Sequence, residues 1–175
     1  MVGFFLVVLV FVIYLQFINE DWKYLVPKPE LPDSCNDNEV LQLVTHEDDK
    51  IDGRSFRDKK DLAEFKNQIH AILLLPCERE DRKLDVNLNI QSSLFAINVW
   101  FKNKSLNQQI NFDTTLDGNI DVTFLRVNKS MNWFMSSKIF NQNKNEIGIS
   151  EKVEKIIIDN KNIFKNYDDK KFVVF

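Results

Sequence analysis

Hydrophobic and polar positions follow three different rhythms along this chain. The first is unbroken: from Val2 to Ile18 there is no charged side chain, and the first is Glu20. The second is helical. Between Asp61 and Leu74, the residues Leu62, Phe65, Ile69, Ile72 and Leu73 recur at three- and four-residue spacing, which predicts an amphipathic helix stopped by Pro76. The third alternates: Leu84, Val86, Leu88 and Ile90 point one way, and Phe95, Ile97, Val99 and Phe101 repeat the pattern with Trp100 on the opposite face. Ile110 and Phe112 begin a further strand ending near Leu116, Asp117-Gly118 reads as a hairpin turn, and Ile120, Val122 and Phe124 return from it. Short connections between such strands predict an antiparallel meander.

Shorter signals flank this centre. Glu39–Val44 reads as a short strand. Ser150 is placed to cap a helix running toward Phe164, with Val153, Ile156, Ile157 and Ile163 on its apolar side. The close, Phe172-Val173-Val174-Phe175, is too apolar for a loose tail and is expected to dock as a last strand. Met131-Asn132-Trp133-Phe134-Met135 has no clear period, and reads either as a short helix under the sheet or as an exposed contact patch. The expected fold class is α+β: an N-terminal transmembrane helix, then one ectodomain with an antiparallel β-meander packed by helices.

The apolar start sets the expected location. A run of about 17 residues is at the short end of what spans a bilayer. No charged n-region precedes it, and Gln16-Phe17-Ile18-Asn19 offers no small-residue cleavage site, so an uncleaved signal-anchor over residues 2–18 is expected rather than a removable leader. Pro27, Pro29 and Pro32 make residues 19–34 an extended stalk, leaving 35–175 as the ectodomain. The expected topology is single-pass, with the amino terminus inside and the domain outside, so that the lipid bilayer is one partner.

Composition narrows the partners further. A net charge of −3 and an isoelectric point near 5.5 provide no basic stripe, so nucleic acid is not expected as a ligand. Lys outnumbers Arg 18 to 5 and Asn occurs 19 times, a usage typical of AT-rich coding. Cys35 and Cys77 are the two cysteines, and on an oxidising side they permit a single pairing. That bridge would contribute roughly 3–4 kcal/mol by the chain-entropy account. Two buried free thiols are the alternative.

Tests for chemistry come back blank. His46–Gly53 resembles a calcium loop at Asp48, Asp52 and Gly53 only, with Lys50 and Lys59 where acidic ligands are needed, and so reads as a solvated turn. His70 stands off the helical stripe and reads as structural or solvated. No nucleophile, metal or phosphate motif occurs, so no catalytic residue, metal or cofactor is assigned and a non-enzymatic role is expected. Asn103-Lys104-Ser105 and Asn128-Lys129-Ser130 fit the glycosylation acceptor pattern. Trp100, Trp133, Phe134 and Met135 fall off the clean stripes and are the candidate interface residues.

In outline (apolar anchor, near-neutral ectodomain, two cysteines, Asn/Lys/Ile/Phe-rich usage) the chain resembles small envelope proteins of large insect DNA viruses. It is most similar to the per os infectivity factors of baculoviruses, in particular their small fourth group. The resemblance implies a virion envelope subunit assembled with other membrane proteins and acting in oral infection of midgut cells. Glu20-Asp21-Trp22-Lys23 departs from the basic flank usual in such proteins, which puts the sorting route in doubt. A ligand- or lipid-binding module tethered to a membrane is the alternative. A cleft lined by convergent polar groups would favour that module, and a broad exposed apolar patch would favour the subunit.

Overall fold

The computed structural model describes residues 35–59, 67–136 and 148–175, all within one compact unit, Pro32–Phe175. Its centre is a mixed four-stranded sheet of β1 (Leu43–Val44), β2 (Gln68–Pro76), β3 (Val122–Val127) and β4 (Lys170–Val174), in the order β1-β3-β2-β4. β3 and β4 both run parallel to β2, and β1 pairs antiparallel with β3. Among the described residues, three α-helices accompany it: α1 (Asn89–Lys104), α2 (Met131–Met135) and α3 (Ile149–Asp159).

Connections explain the layering. The chain leaves β2, crosses by α1 and enters β3 on one side. It then crosses back by α3 to β4 on the other. Crossovers of one hand that travel in opposite directions put their helices on opposite faces. Accordingly Ile90 and Leu94 of α1 pack with Ala71, Leu73, Phe112, Val122 and Phe124. Ile156 and Ile157 of α3 pack with Ile72, Leu74, Leu125, Val127, Phe134 and Phe164 on the reverse face.

The α+β content stands, but the antiparallel meander does not. Gln68–Pro76 is the central strand, where a helix was expected over Leu62–Leu73, and residues 60–66 lie outside the described segments. Ile69-His70-Ala71-Ile72-Leu73-Leu74-Leu75 is apolar apart from His70, as a strand with both faces covered requires, and over so short a run helical spacing and strand continuity coincide. The alternating stretches at 84–90 and 95–101 are turns followed by α1. Their alternation did not report burial: Phe95, Ile97 and Val99 are exposed, and Ile90 and Leu94, one turn apart, face the sheet.

The Asp117-Gly118 turn is present. The Gly118 N–H donates to the Thr115 carbonyl at 2.8 Å with φ at +77°, where a side chain would be strained, and Thr114 bridges Ile120 antiparallel. The hairpin goes no further, because from Val122 onward the chain pairs with β2. Both ends of the sheet match expectation: Leu43–Val44 is a strand, and Lys170–Val174 docks as the last one. The helix expected from Ser150 begins at Ile149, with Gly148 at its cap, and ends at Asp159.

No helix among the described residues is long and apolar enough to cross a membrane. This removes the membrane-spanning helix from the fold assignment and leaves single-pass anchoring without support. The segments read as anchor and stalk, residues 2–18 and 19–34, lie outside the described residues.

Candidate functional site

Where the parallel strands begin, six polar side chains converge from separate parts of the chain. Thr123 is the second residue of β3, Lys170 opens β4 opposite Gln68, and His70 sits two residues into β2 on the α3 side of the sheet. The His70 ring is wedged edge-on against Phe164 and Phe172, at centroid distances of 5.6 and 6.1 Å. Asp113 and Asp121 are brought together by their backbones, the Asp121 N–H donating to the Asp113 carbonyl at 2.9 Å. Asp58 enters from the loop ahead of β2.

The side chains form one connected network. His70 Nδ1 lies 2.6 Å from Asp113 Oδ2, and Nε2 lies 2.9 Å from Thr123 Oγ1. Lys170 Nζ donates to Asp58 Oδ2 at 2.6 Å and also to Asp113 Oδ2. Asp58 Oδ2 accepts the Lys165 N–H at 2.9 Å, and Asp121 Oδ2 accepts the Lys59 N–H at 2.6 Å. All six residues are buried, none more than 5% exposed. Burial disfavours the Lys170 ammonium, but hydrogen bonds and charge from Asp113 and Asp58 outweigh it and hold its pKa above the usual lysine value. Burial pushes the Asp121 carboxyl up, against the pull of the Lys59 amide. One ligating atom each from Asp58, His70, Asp113 and Asp121 falls within 4.8 Å of the others, a donor set able to hold a metal ion.

Thr123, His70 and Asp113 stand in the order hydroxyl, imidazole, carboxylate that nucleophilic catalysis uses. Thr123 and Asp113 are nevertheless fully buried, so nothing outside the protein reaches that hydroxyl in this conformation.

Asp121 also lines a cleft of about 270 Å³, together with Asp52, Ser55, Asp85, Gln91 and Asn119. Arg54 borders the cleft as well, but its guanidinium is committed: Nε and Nη2 fork onto Asp85 at 2.8 and 2.7 Å, and Nη1 donates to Asp81 at 2.6 Å. The guanidinium carbon rests 3.9 Å from the centroid of the Phe124 ring. Gln91 Nε2 donates to the Asp85 carbonyl at 2.8 Å, while its Oε1 is buried without a partner among the described residues.

The interface candidates fall in two places on opposite faces of the sheet. Trp100 is 62% exposed on α1, beside Phe95 at 67%, Ile97 at 46% and Val99 at 45%. On α2, Phe134 is core, Trp133 is half-buried edge-on against it, and Met135 is exposed. Lys152 of α3 donates to the carbonyls of Trp133, Phe134 and Ser136, closing the end of α2, and its ammonium lies 5.0 Å from the Trp133 ring.

Cys35 and Cys77 form a disulfide with Cα atoms 5.4 Å apart. Asn103 is exposed near the end of α1. Asn128 is buried, its amide donating to the Val40 carbonyl at 2.9 Å and its side-chain oxygen accepting the Gln42 N–H at 2.9 Å.

Sequence reasoning missed the network around His70 and the buried role of Asp49, which takes Arg126 Nε and Nη2 at 2.8 and 2.7 Å. The available signal was an imidazole inside an otherwise unbroken apolar run, which demands buried partners. Comparison with protein-family models, curated proteins and solved structures finds no match to the chain.

Proposed function

We propose that this chain is a non-enzymatic subunit of a hetero-complex, binding another protein through the outward face of α1. The carrying observation is the exposed group Phe95, Ile97, Val99 and Trp100, four large apolar side chains within six consecutive residues. Phe95 and Val99 are one turn apart, and Ile97 and Trp100 are a second such pair about 140° further round the exposed part of the helix. Scattered apolar residues on a surface need no explanation, whereas four large exposed apolar residues within two turns of one helix have the composition of an interaction surface. The partner surface that suits it is an apolar groove reading positions one turn apart. A complex acting in oral infection is the setting that the resemblance to per os infectivity factors supplies.

A photo-crosslinker at position 100 tests this, with the same group at Glu154 on the outer side of α3 as the control. Position 100 is expected to yield one discrete heterologous adduct in the native source and position 154 none. Equal labelling at both positions, or none at either, would refute the proposal.

The polar cleft favours a second reading, a module for a small polar ligand, because Asp52, Asp85, Gln91, Asn119 and Asp121 converge there. Saturable binding of such a ligand, lost in Gln91→Leu at unchanged stability, would support it. Asn103 is the exposed one of the two sequons.

A further inference from the structure

We infer that Asp58, His70, Asp113 and Asp121 form a site for a divalent first-row transition ion, and that the Lys170 ammonium is the cation holding the site together when no ion is bound. Donor chemistry points there first. One imidazole and three carboxylates converge within 4.8 Å of one another, all buried, from separate stretches of the chain. A mixed nitrogen and oxygen set suits manganese, iron or zinc better than magnesium or calcium, which take oxygen alone.

Charge is the second consideration. Three carboxylates gather in the site, and the Lys170 ammonium contacts two of them, Asp58 and Asp113. Excess negative charge in a dry interior is costly unless a cation or a proton compensates it. The third observation is independent of both: Asp58 Oδ1 is buried and accepts no hydrogen bond from any described residue. A buried carboxylate oxygen without a partner calls for an explanation, and a bound ion is one that suits this donor set.

Asp121 lines the cleft and is the one member of the donor set that borders it. Lys170 borders a second groove, of about 480 Å³, lined by α3 and β4 residues including Val153, Ile157 and Phe172. The site is separate from the outer face of α1, so its success or failure leaves the docking proposal untouched.

The test is metal uptake by the full chain after chelator treatment, with Mn²⁺ and Zn²⁺ as probes, read by metal content and by thermal midpoint. One ion per chain and a midpoint rising with ion concentration are expected. Asp121→Asn, which keeps an acceptor for the Lys59 N–H, should weaken uptake by at least about tenfold, no less than loss of an outer-shell partner does. Lys170→Met removes the competing ammonium; it should lower the midpoint without metal and bind the ion more tightly than wild type. Wild-type protein that takes up neither ion overturns the inference, as does Asp121→Asn binding at wild-type affinity. A Lys170→Met variant that binds no more tightly would also overturn it.

Discussion

α1 and α3 cover opposite faces of one sheet, yet they treat their outer sides differently. α3 turns Ile156 and Ile157 inward, uses Lys152 to close the end of α2, and shows water Glu151, Glu154 and the Lys155–Asp159 pair. Its exposed Ile149 and Ile158 stand near opposite ends and on opposite sides, so they make no patch. α1 turns Ile90 and Leu94 inward and still carries Phe95, Ile97, Val99 and Trp100 outside. The sheet accounts for every large apolar residue in the middle of α3 and for only part of those on α1. What packing does not explain on α1 is the surface that the proposed docking would cover.

Substitutions on the inner and outer sides of these layers should separate sharply. The largest effect is expected on the α1 side of the sheet, where Arg126 forks onto fully buried Asp49. Asp49→Ala leaves a buried guanidinium uncompensated and should cost about 3–5 kcal/mol in chemical denaturation. Its pH dependence has a definite sign. Burial pushes the Asp49 carboxyl up, but the Arg126 hydrogen bonds, the His46 amide and the Arg126 charge outweigh that and hold it below its ordinary 3.8. A carboxyl depressed in the folded state contributes stability that is full above the ordinary value and lost as pH falls through the folded one. The gap between wild type and Asp49→Asn should therefore narrow in acid, below about pH 4.

Next comes the inner side of α3. Ile156 is fully buried among Ile72, Leu125 and Val127, and Ile156→Ala should cost about 2–5 kcal/mol through lost transfer energy and the cavity left behind. Opening the Cys35–Cys77 bridge by the paired serine substitution should cost about 2–4 kcal/mol, seen as a lower denaturant midpoint. Smallest is the outer side of α1. Phe95→Ser and Trp100→Ser should each change stability by no more than about 0.5 kcal/mol, as surface substitutions do. A loss near 3 kcal/mol at either position would place that residue in the core and remove the contrast between the helices.

How much of this was legible depended on whether a pattern reported burial. Val153, Ile156 and Ile157 face a core at helical spacing, and α3 was found within one residue at its start. The Phe172–Phe175 close has no polar partner to its apolar residues, and β4 was found from that alone. Alternation at Phe95, Ile97 and Val99 failed because those side chains face outward, so a surface property imitated a strand. The run around His70 failed because a strand buried on both faces carries no period of its own. Within the candidate site, His70 and Asp113 are 43 residues apart and meet only through the β2–α1 connection and the segment pairing at Ile69. No local motif encodes such a meeting. The disulfide was different, since two cysteines admit one pairing whatever the fold.

The most direct test is recovery of the tagged full chain from its native source, wild type against the Phe95→Glu/Trp100→Glu variant, with each thermal midpoint measured in parallel. The account predicts that wild type brings down at least one heterologous protein in fixed stoichiometry and that the variant loses it while keeping the wild-type midpoint. Recovery of the same protein in the same ratio by a folded variant would contradict the assignment of α1 as the docking face.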